Sequence, residues 1–228
     1  MSFALRQFRA RTLSSNSSTG TAPSPVCRLC RREGVKLFLK GEKCVGDRCT
    51  FTKRNATPPG QHGLARRRRI SEYGIQLRAK QRGRRIYGVL ETQFQNYFDD
   101  ASHGKGVTGT ALLQMLEQRL DNVVYRAGFA SSRREARQLV SHRHFQVDGR
   151  AVNIPSYQLR TGQVVQVRER SRELEPIRRS VEFRGGQAVP SWLTLYPQEF
   201  RVDVSRHPER GEMETSIDEQ LIVEWYSR

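Results

Sequence analysis

The longest regular pattern of apolar positions lies in the middle of the chain. Leu112, Leu113, Leu116, Leu120, Val123, Val124 and Ala127 recur at three- and four-residue spacing, which is one face of a helix. A helix is therefore predicted over residues 110–127, with Gly128 as its stop. A shorter helix follows, with Ala136, Leu139 and Val140 as its apolar edge. Ser132 and Glu135 stand at capping-box spacing before it: the hydroxyl takes one amide of the first turn and the carboxylate reaches back to another. The period then falls to two at Phe145-Gln146-Val147, and Asp148-Gly149 is a strong hairpin signal. Residues 151–154 should pair back on that strand before Pro155 ends it. Thr161-Gly162 turns into a further strand over residues 163–167. Two helices and a small antiparallel sheet make residues 108–170 a compact module.

Outside the module the pattern is weaker. Phe94, Tyr97 and Phe98 share a helical face over residues 91–100 and read as core. Ser71 and Glu72 look like a helix start, and Ile75, Leu77 and Ile86 give that helix a thin apolar face. Gly83 is expected to interrupt or kink it. Residues 172–183 read as helical until Arg184-Gly185-Gly186. Trp192, Leu193, Leu195 and Tyr196 need an apolar partner, and residues 216–225 form a terminal helix or strand anchored by Leu221, Ile222, Val223, Trp225 and Tyr226. The expected fold is α+β: a mainly helical domain from residues 57–107 and 171–228, with the 108–170 module inserted. Residues 25–56 form a separate cysteine-bearing segment, and residues 1–24 a basic tail or presequence.

Charge changes the picture most. The 228 residues carry 40 Lys and Arg against 23 Asp and Glu, a net of +17. That balance points to a polyanion. Only six of the cations are Lys, and Arg is the residue suited to bidentate phosphate contacts and to stacking on bases. The charge is also lopsided. Residues 1–90 hold 21 Lys/Arg and 4 Asp/Glu, whereas residues 91–228 hold 19 of each. The first part supplies bulk attraction, and the second must bind by placing its arginines. No apolar run approaches the roughly 18 residues of a membrane-spanning helix, and no membrane role is expected.

Three stretches concentrate the candidates for nucleic-acid contact. Gln61 and His62 lie in a Pro/Gly-bounded loop that runs into Arg66, Arg67, Arg68 and Arg69. Tyr73, Arg78, Lys80, Arg82, Arg84 and Arg85 follow on the predicted basic helix. Arg133, Arg134 and Arg137 share one arc beside the apolar edge of the module's second helix, at its N-terminal end, where phosphates are favoured. His142, Arg143 and His144 come just after it and read as RNA contacts. The bland alternative throughout is a solvated basic face.

All four cysteines fall in residues 27–49, as Cys27-x2-Cys30 and, after a gap of thirteen residues, Cys44-x4-Cys49. That spacing falls within or close to the range of structural zinc sites. Neighbouring Arg28, Arg31, Arg32, Lys43 and Arg48 would offset the negative charge of four thiolates. Two disulfides or an iron–sulfur cluster are the rivals. No general base stands beside the cysteines, so a metal there would be structural.

Signatures of catalysis are missing. There is no H-E-x-x-H or G-x-S-x-G, and the Gly104-Lys105-Gly106-Val107-Thr108-Gly109 loop lacks the Gly-Lys-Ser/Thr before a helix that a phosphate loop needs. The 131–150 unit with the preceding Leu116-Glu117-Gln118-Arg119-Leu120-Asp121-Asn122-Val123-Val124-Tyr125-Arg126 resembles the RNA-binding module named after the fourth small-subunit ribosomal protein. Pro58-Pro59-Gly60-Gln61-His62-Gly63, Ser71-Glu72-Tyr73-Gly74, Arg85-Ile86-Tyr87-Gly88, Asn153-Ile154-Pro155-Ser156-Tyr157 and the ending Ile222-Val223-Glu224-Trp225-Tyr226-Ser227-Arg228 are similar to the bacterial-type family of that ribosomal protein, from about residue 26 onward. The four cysteines resemble its zinc-containing branch.

The resemblance implies a non-enzymatic protein that binds 16S-type rRNA in its 5′ domain at a multi-helix junction, early in assembly. Arg133, Arg134 and Arg137 would contact rRNA phosphates. Arg66 to Arg69 would lie near the channel by which mRNA enters. The fifth small-subunit protein, S5, would be its neighbour, with an effect on decoding accuracy, and its own mRNA would be a further partner. It would act as a single copy, not a homo-oligomer. The expected place is the cytoplasmic ribosome, or an organelle ribosome if residues 1–24 are a transit peptide. The alternatives from other classes are an RNA-modifying enzyme of the pseudouridine-synthase kind and a stand-alone RNA-binding regulator. Arg143 stands where the family often has Gly, so strain is expected in that turn.

Overall fold

A computed structural model describes residues 26–53, 57–65, 69–184, 189–214 and 216–228. Among these, the cysteine-bearing segment forms three short helices, α1 (Val26–Glu33), α2 (Glu42–Val45) and α3 (Thr50–Lys53). Two longer helices follow, α4 (Glu72–Tyr87) and α5 (Glu91–Ser102). Ser71 caps α4 by accepting the Gly74 amide, and Gly88 ends it at φ +64°, in the left-handed region where glycine is unstrained.

The predicted 110–127 helix is two helices, α6 (Thr108–Glu117) and α7 (Leu120–Arg126). Arg119 is extended at the break, with ψ 137°. The backbone groups freed there are satisfied by residues 155–159. Leu120 N donates to the Tyr157 carbonyl at 2.9 Å, Asp121 N to that of Pro155 at 3.1 Å, and Leu159 N to that of Gln118 at 2.9 Å. The apolar stripe is shared accordingly. Leu112, Leu113 and Leu116 belong to one core, with Phe94, Tyr97, Phe98 and Ile222. Leu120, Val123, Val124 and Ala127 belong to a second, with Phe145, Val165, Trp192 and Val202. A continuous periodicity therefore spans the junction between two lobes.

In the second lobe α8 (Arg133–Ser141) packs on a five-stranded antiparallel sheet of order β2-β1-β3-β5-β4. The strands are β1 (Phe145–Val147), β2 (Arg150–Ala151), β3 (Val164–Val167), β4 (Leu193–Tyr196) and β5 (Arg201–Val204). Three differences from the sequence reading appear. Of residues 151–154 only Ala151 lies in the strand paired with β1, beside Arg150, and Val152 N adds one hydrogen bond to the Phe145 carbonyl at 3.3 Å. The sheet extends past residue 170: β5 pairs with β3, so Leu193 and Trp192 find their apolar partner in the module's core. The Ser132 hydroxyl accepts the Glu135 amide as expected, but the Glu135 carboxylate reaches the amide and hydroxyl of Ser131 rather than Ser132.

The first lobe also departs from expectation. α4 is unbroken through Gly83. A β-carbon there would meet Ile222 at 3.5 Å and Phe94 at 3.7 Å, ordinary contact distances, so burial against the core keeps the chain helical at a residue that local propensity disfavours. The buried face of α4 is Gln76, Ala79, Lys80, Gly83, Ile86 and Tyr87, and Ile75 is exposed. The chain ends as a helix, α10 (Glu219–Tyr226), capped by the Asp218 carboxylate and stacked through Tyr226 on Phe98 at 4.6 Å between ring centroids. Residues 175–184 form the remaining helix, α9 (Glu175–Arg184).

Candidate nucleic-acid interface

The lobes meet across a buried polar network. Arg119, 2% exposed, forks onto Asp121 at 2.9 and 3.0 Å and donates to the Tyr97 hydroxyl at 2.7 Å. Glu117 is fully buried. It receives Arg126 in a bidentate pair at 2.7 and 3.1 Å, the Tyr87 hydroxyl at 2.7 Å and the Asn122 amide at 2.6 Å. Burial raises the Glu117 carboxyl, but the Arg126 guanidinium, together with Arg133 and the Tyr87 hydroxyl, outweighs it and holds the group below its usual value. These carboxylates are thus saturated with donors, as a buried charge must be.

The structure separates Arg133, Arg134 and Arg137, which sequence spacing put on one arc facing phosphates. Arg133 is buried: its Nε donates to Asn122 Oδ1 at 2.7 Å, and its guanidinium lies over the rings of Tyr87 and Tyr125 at 5.0 and 4.6 Å. Arg137 clasps the other lobe, donating to Asp121 at 2.7 and 3.0 Å, to the Gly88 carbonyl at 2.6 Å and to the Tyr87 carbonyl at 3.0 Å. Arg134 alone is exposed, with no hydrogen bond or ion pair among the described residues. All three border a cleft of about 390 Å³. Its other walls are Val26, Leu29, Phe38 and Leu39 from the cysteine segment and residues 84–90 from the end of α4.

The basic helix α4 is likewise largely engaged. Arg78 donates to Glu33 at 3.1 Å, and Arg85 pairs with the same carboxylate. Lys80 is buried against Glu91 at 2.6 Å and lies over Trp225. Arg84 donates to Glu91 at 2.9 Å and Arg82 to the Ser216 carbonyl at 3.0 Å. Tyr73 is half-exposed and packs against Trp225 in a tilted arrangement, with ring centroids 4.6 Å apart. Gln61 and His62 sit exposed on a single 3₁₀ turn, and Arg69 is exposed beyond it. Arg66, Arg67 and Arg68 lie outside the described residues. His142 and Arg143 are exposed, and His144 is half-buried. Arg143 has φ +63°, the strained turn that the sequence suggested.

The four cysteines are free thiols, three of them buried. Burial raises Cys30 first of all, and the neighbouring thiols of Cys44, Cys27 and Cys49 add to it, so the four sulfurs lie within electrostatic reach of one another. Backbone amides are aimed at them, with Lys40 N at 3.3 Å from Cys44 Sγ. Burial also opposes the Cys49 thiolate, yet the amides of Thr52 and Phe51 help bring that group below its usual value. Among the described residues no three His, Cys, Asp or Glu side chains form a group set to hold a metal ion. The donor chemistry fits zinc, with amides turned toward sulfur, while a tetrahedron is not preformed. The segment presses on the module: Gly41 approaches Ser131 so closely that a β-carbon would lie 2.7 Å from its carbonyl oxygen.

A family model described as the ribosomal protein S4/S9 N-terminal domain matches residues 22–117, and an S4 domain model matches residues 118–165. The boundary falls at the break between α6 and α7. The chain is 62% identical to small ribosomal subunit protein uS4A of Symbiobacterium thermophilum over 204 residues, 90% of this chain and 97% of that one. It belongs to the uS4 family of ribosomal proteins. Other uS4 relatives include those of Natranaerobius thermophilus, at 55% identity, and Thermus thermophilus, at 53%, each over the same shares of the two chains. Within this uS4 chain, the sequence reading missed the roles of Glu117, Asp121, Asn122 and Arg126. They lie inside the run that carries the family resemblance, and the charged pairs among apolar positions of one helical pattern were the available signal.

Proposed function

We propose that this chain is a structural, non-enzymatic constituent of the small ribosomal subunit that binds its rRNA. The observation that carries this is the match to uS4 proteins over 90% of the chain, and the exposed Arg134 at the rim of a basic cleft supports it. Rigid buried pairs fix the angle between two lobes, and exposed arginines on that frame meet phosphates at set positions. Binding at a 5′-domain junction, contact with S5, proximity of Arg66 to Arg69 to mRNA and an effect on decoding accuracy are the finer reading. Footprinting on small-subunit rRNA tests it: protection should be confined to one junction, and diffuse protection would reduce the protein to non-specific basicity.

We further propose that Cys27, Cys30, Cys44 and Cys49 hold one structural Zn²⁺. The ion would cross-link α1 to the 44–49 turn. Metal analysis of the purified chain should find one zinc per molecule. Its absence, together with few titratable thiols, would favour disulfides instead.

A further inference from the structure

The outer face of the module's sheet lies opposite α8. Side chains alternate along a strand. Phe145 and Val147 of β1, like Val165 and Val167 of β3, are buried in the core, so Gln146 and Gln166 project from the other face. The two carboxamides are cross-strand partners, with Gln146 Nε2 donating to Gln166 Oε1 at 3.0 Å. Beyond β3 the chain continues through Arg168, Glu169, Arg170 and Arg172. With the glutamines these residues line a groove of about 350 Å³ that contains no apolar side chain.

The groove is electropositive at one end. Arg168 donates to the Arg143 carbonyl at 3.3 Å, which brings the 142–144 turn against it, and His144 Nδ1 lies 3.0 Å from the Ser171 hydroxyl. Burial and then the charges of His142, Arg170 and Arg168 hold the His144 imidazole below its ordinary value. Arg170 is exposed, with no hydrogen bond or ion pair among the described residues. The Nε of Arg172 is buried with no hydrogen-bond partner. Glu169 is the single carboxylate in the lining.

We propose that this groove is a second RNA-binding subsite, which takes a phosphodiester segment together with the edge of an adjacent base. The inference rests on the reading that the chain binds rRNA, and it adds a face that the α8 junction does not use. The chemistry favours RNA over an acidic protein segment. Protein interfaces are anchored by buried aromatic or aliphatic groups, and this lining offers none. Guanidiniums match phosphate oxygens bidentately, and a carboxamide supplies the adjacent donor and acceptor that a base edge requires. RNA held on both faces would fix the module's orientation, which a single contact surface leaves free to pivot.

Hydroxyl-radical footprinting with the full-length protein tests this, comparing the wild type with Arg168→Gln/Arg170→Gln and with Arg134→Ala. The wild type should protect two separate rRNA segments. The groove variant should lose one and keep the other, and its salt slope should fall by about 1.4–1.8 for two lost phosphate contacts. Arg134→Ala should lose the other segment. The exposed Arg170→Glu alone serves as a second variant if the double one folds poorly, and it should weaken the same segment. An unchanged footprint and slope in the groove variants, with wild-type protection intact, overturns the subsite and leaves the rRNA reading standing. An unchanged footprint with loss of the variant from assembled subunits would assign the groove to a protein neighbour and also overturn it. No wild-type protection would overturn both readings.

Discussion

The arginines of the α8 junction and those of the 168–172 segment carry the same charge and hold different things. At the junction Arg119, Arg126 and Arg137 are each saturated by carboxylates, carbonyls or hydroxyls of their own chain, and Arg133 is enclosed by two tyrosines. Along 168–172, Arg168 makes one hydrogen bond to a carbonyl and Arg170 makes none among the described residues. A guanidinium that is buried and bidentate is committed to the fold, because removing its partner strands a charge in low dielectric. One that is exposed and unpaired keeps its donors for a ligand. Counting basic residues confuses these two populations, and their partners separate them.

The largest expected effect breaks the junction side of this comparison. Asp121 is 2% exposed and takes both Arg119 and Arg137. Asp121→Ala strands the buried Arg119 and releases the clasp between lobes, and should cost about 3–5 kcal/mol. Urea denaturation of the full chain measures it. A loss below about 1 kcal/mol would mean that the network behaves as a surface ion pair and does not fix the angle between the lobes.

Neighbours on one helix sharpen the contrast. Arg137→Ala should cost about 1–3 kcal/mol of stability, since it leaves Asp121 with one partner fewer and the Tyr87 and Gly88 carbonyls without their donor. Arg134→Ala, one turn away and exposed, should stay within about 0.5 kcal/mol of wild type while lowering the salt slope of rRNA binding by about 0.7–0.9. If both variants lost stability alike, the sorting of arginines by their partners would fail.

Much of this was legible in the sequence, and what was not has identifiable causes. The capped α8, the hairpin at Asp148-Gly149, the strand at 164–167 and the aromatic core of α5 follow from local pattern and turn chemistry. The break at Arg119 does not. Its stripe is continuous in sequence because both cores need apolar residues at helical spacing, and only the distant carbonyls of Pro155 and Tyr157 decide that the helix stops. The same holds for Gly83, which local propensity marks as a kink and which burial beside Ile222 and Phe94 keeps helical. In the candidate site, residue type identified the arginines as a class. Which of them are available depends on Asp121, Asn122, Glu33 and Glu91, whose positions are set by the fold.

A smaller effect probes the turn that joins junction to groove. Arg143 holds φ +63° at the end of α8, a conformation costing a side chain roughly 1–2 kcal/mol. Arg143→Gly should therefore stabilise the chain by about 0.5–1 kcal/mol, part of the relief being offset by glycine's greater freedom when unfolded. Thermal denaturation would show a higher midpoint. A lower one would mean that the Arg143 side chain makes a compensating contact, and would move it from the groove population to the junction population.

The smallest effect separates the two regions by pH. In the junction the Glu117 carboxyl lies below its unfolded value near 4.5, so its stabilisation is complete above that value and is lost as pH falls through the lower folded one. At the groove the His144 imidazole lies below its ordinary 6.5, through burial and then the positive neighbours His142, Arg170 and Arg168. The unfolded chain then binds more protons near pH 6, and stability should decline as pH falls through 6.5 toward the folded value. His144→Gln should flatten that upper step and leave the acid step untouched, whereas Glu117→Gln should alter the acid step alone. Denaturation midpoints from about pH 2 to pH 8 read both. A His144→Gln profile that keeps its step near pH 6 would show that the positive field arises elsewhere than at the groove.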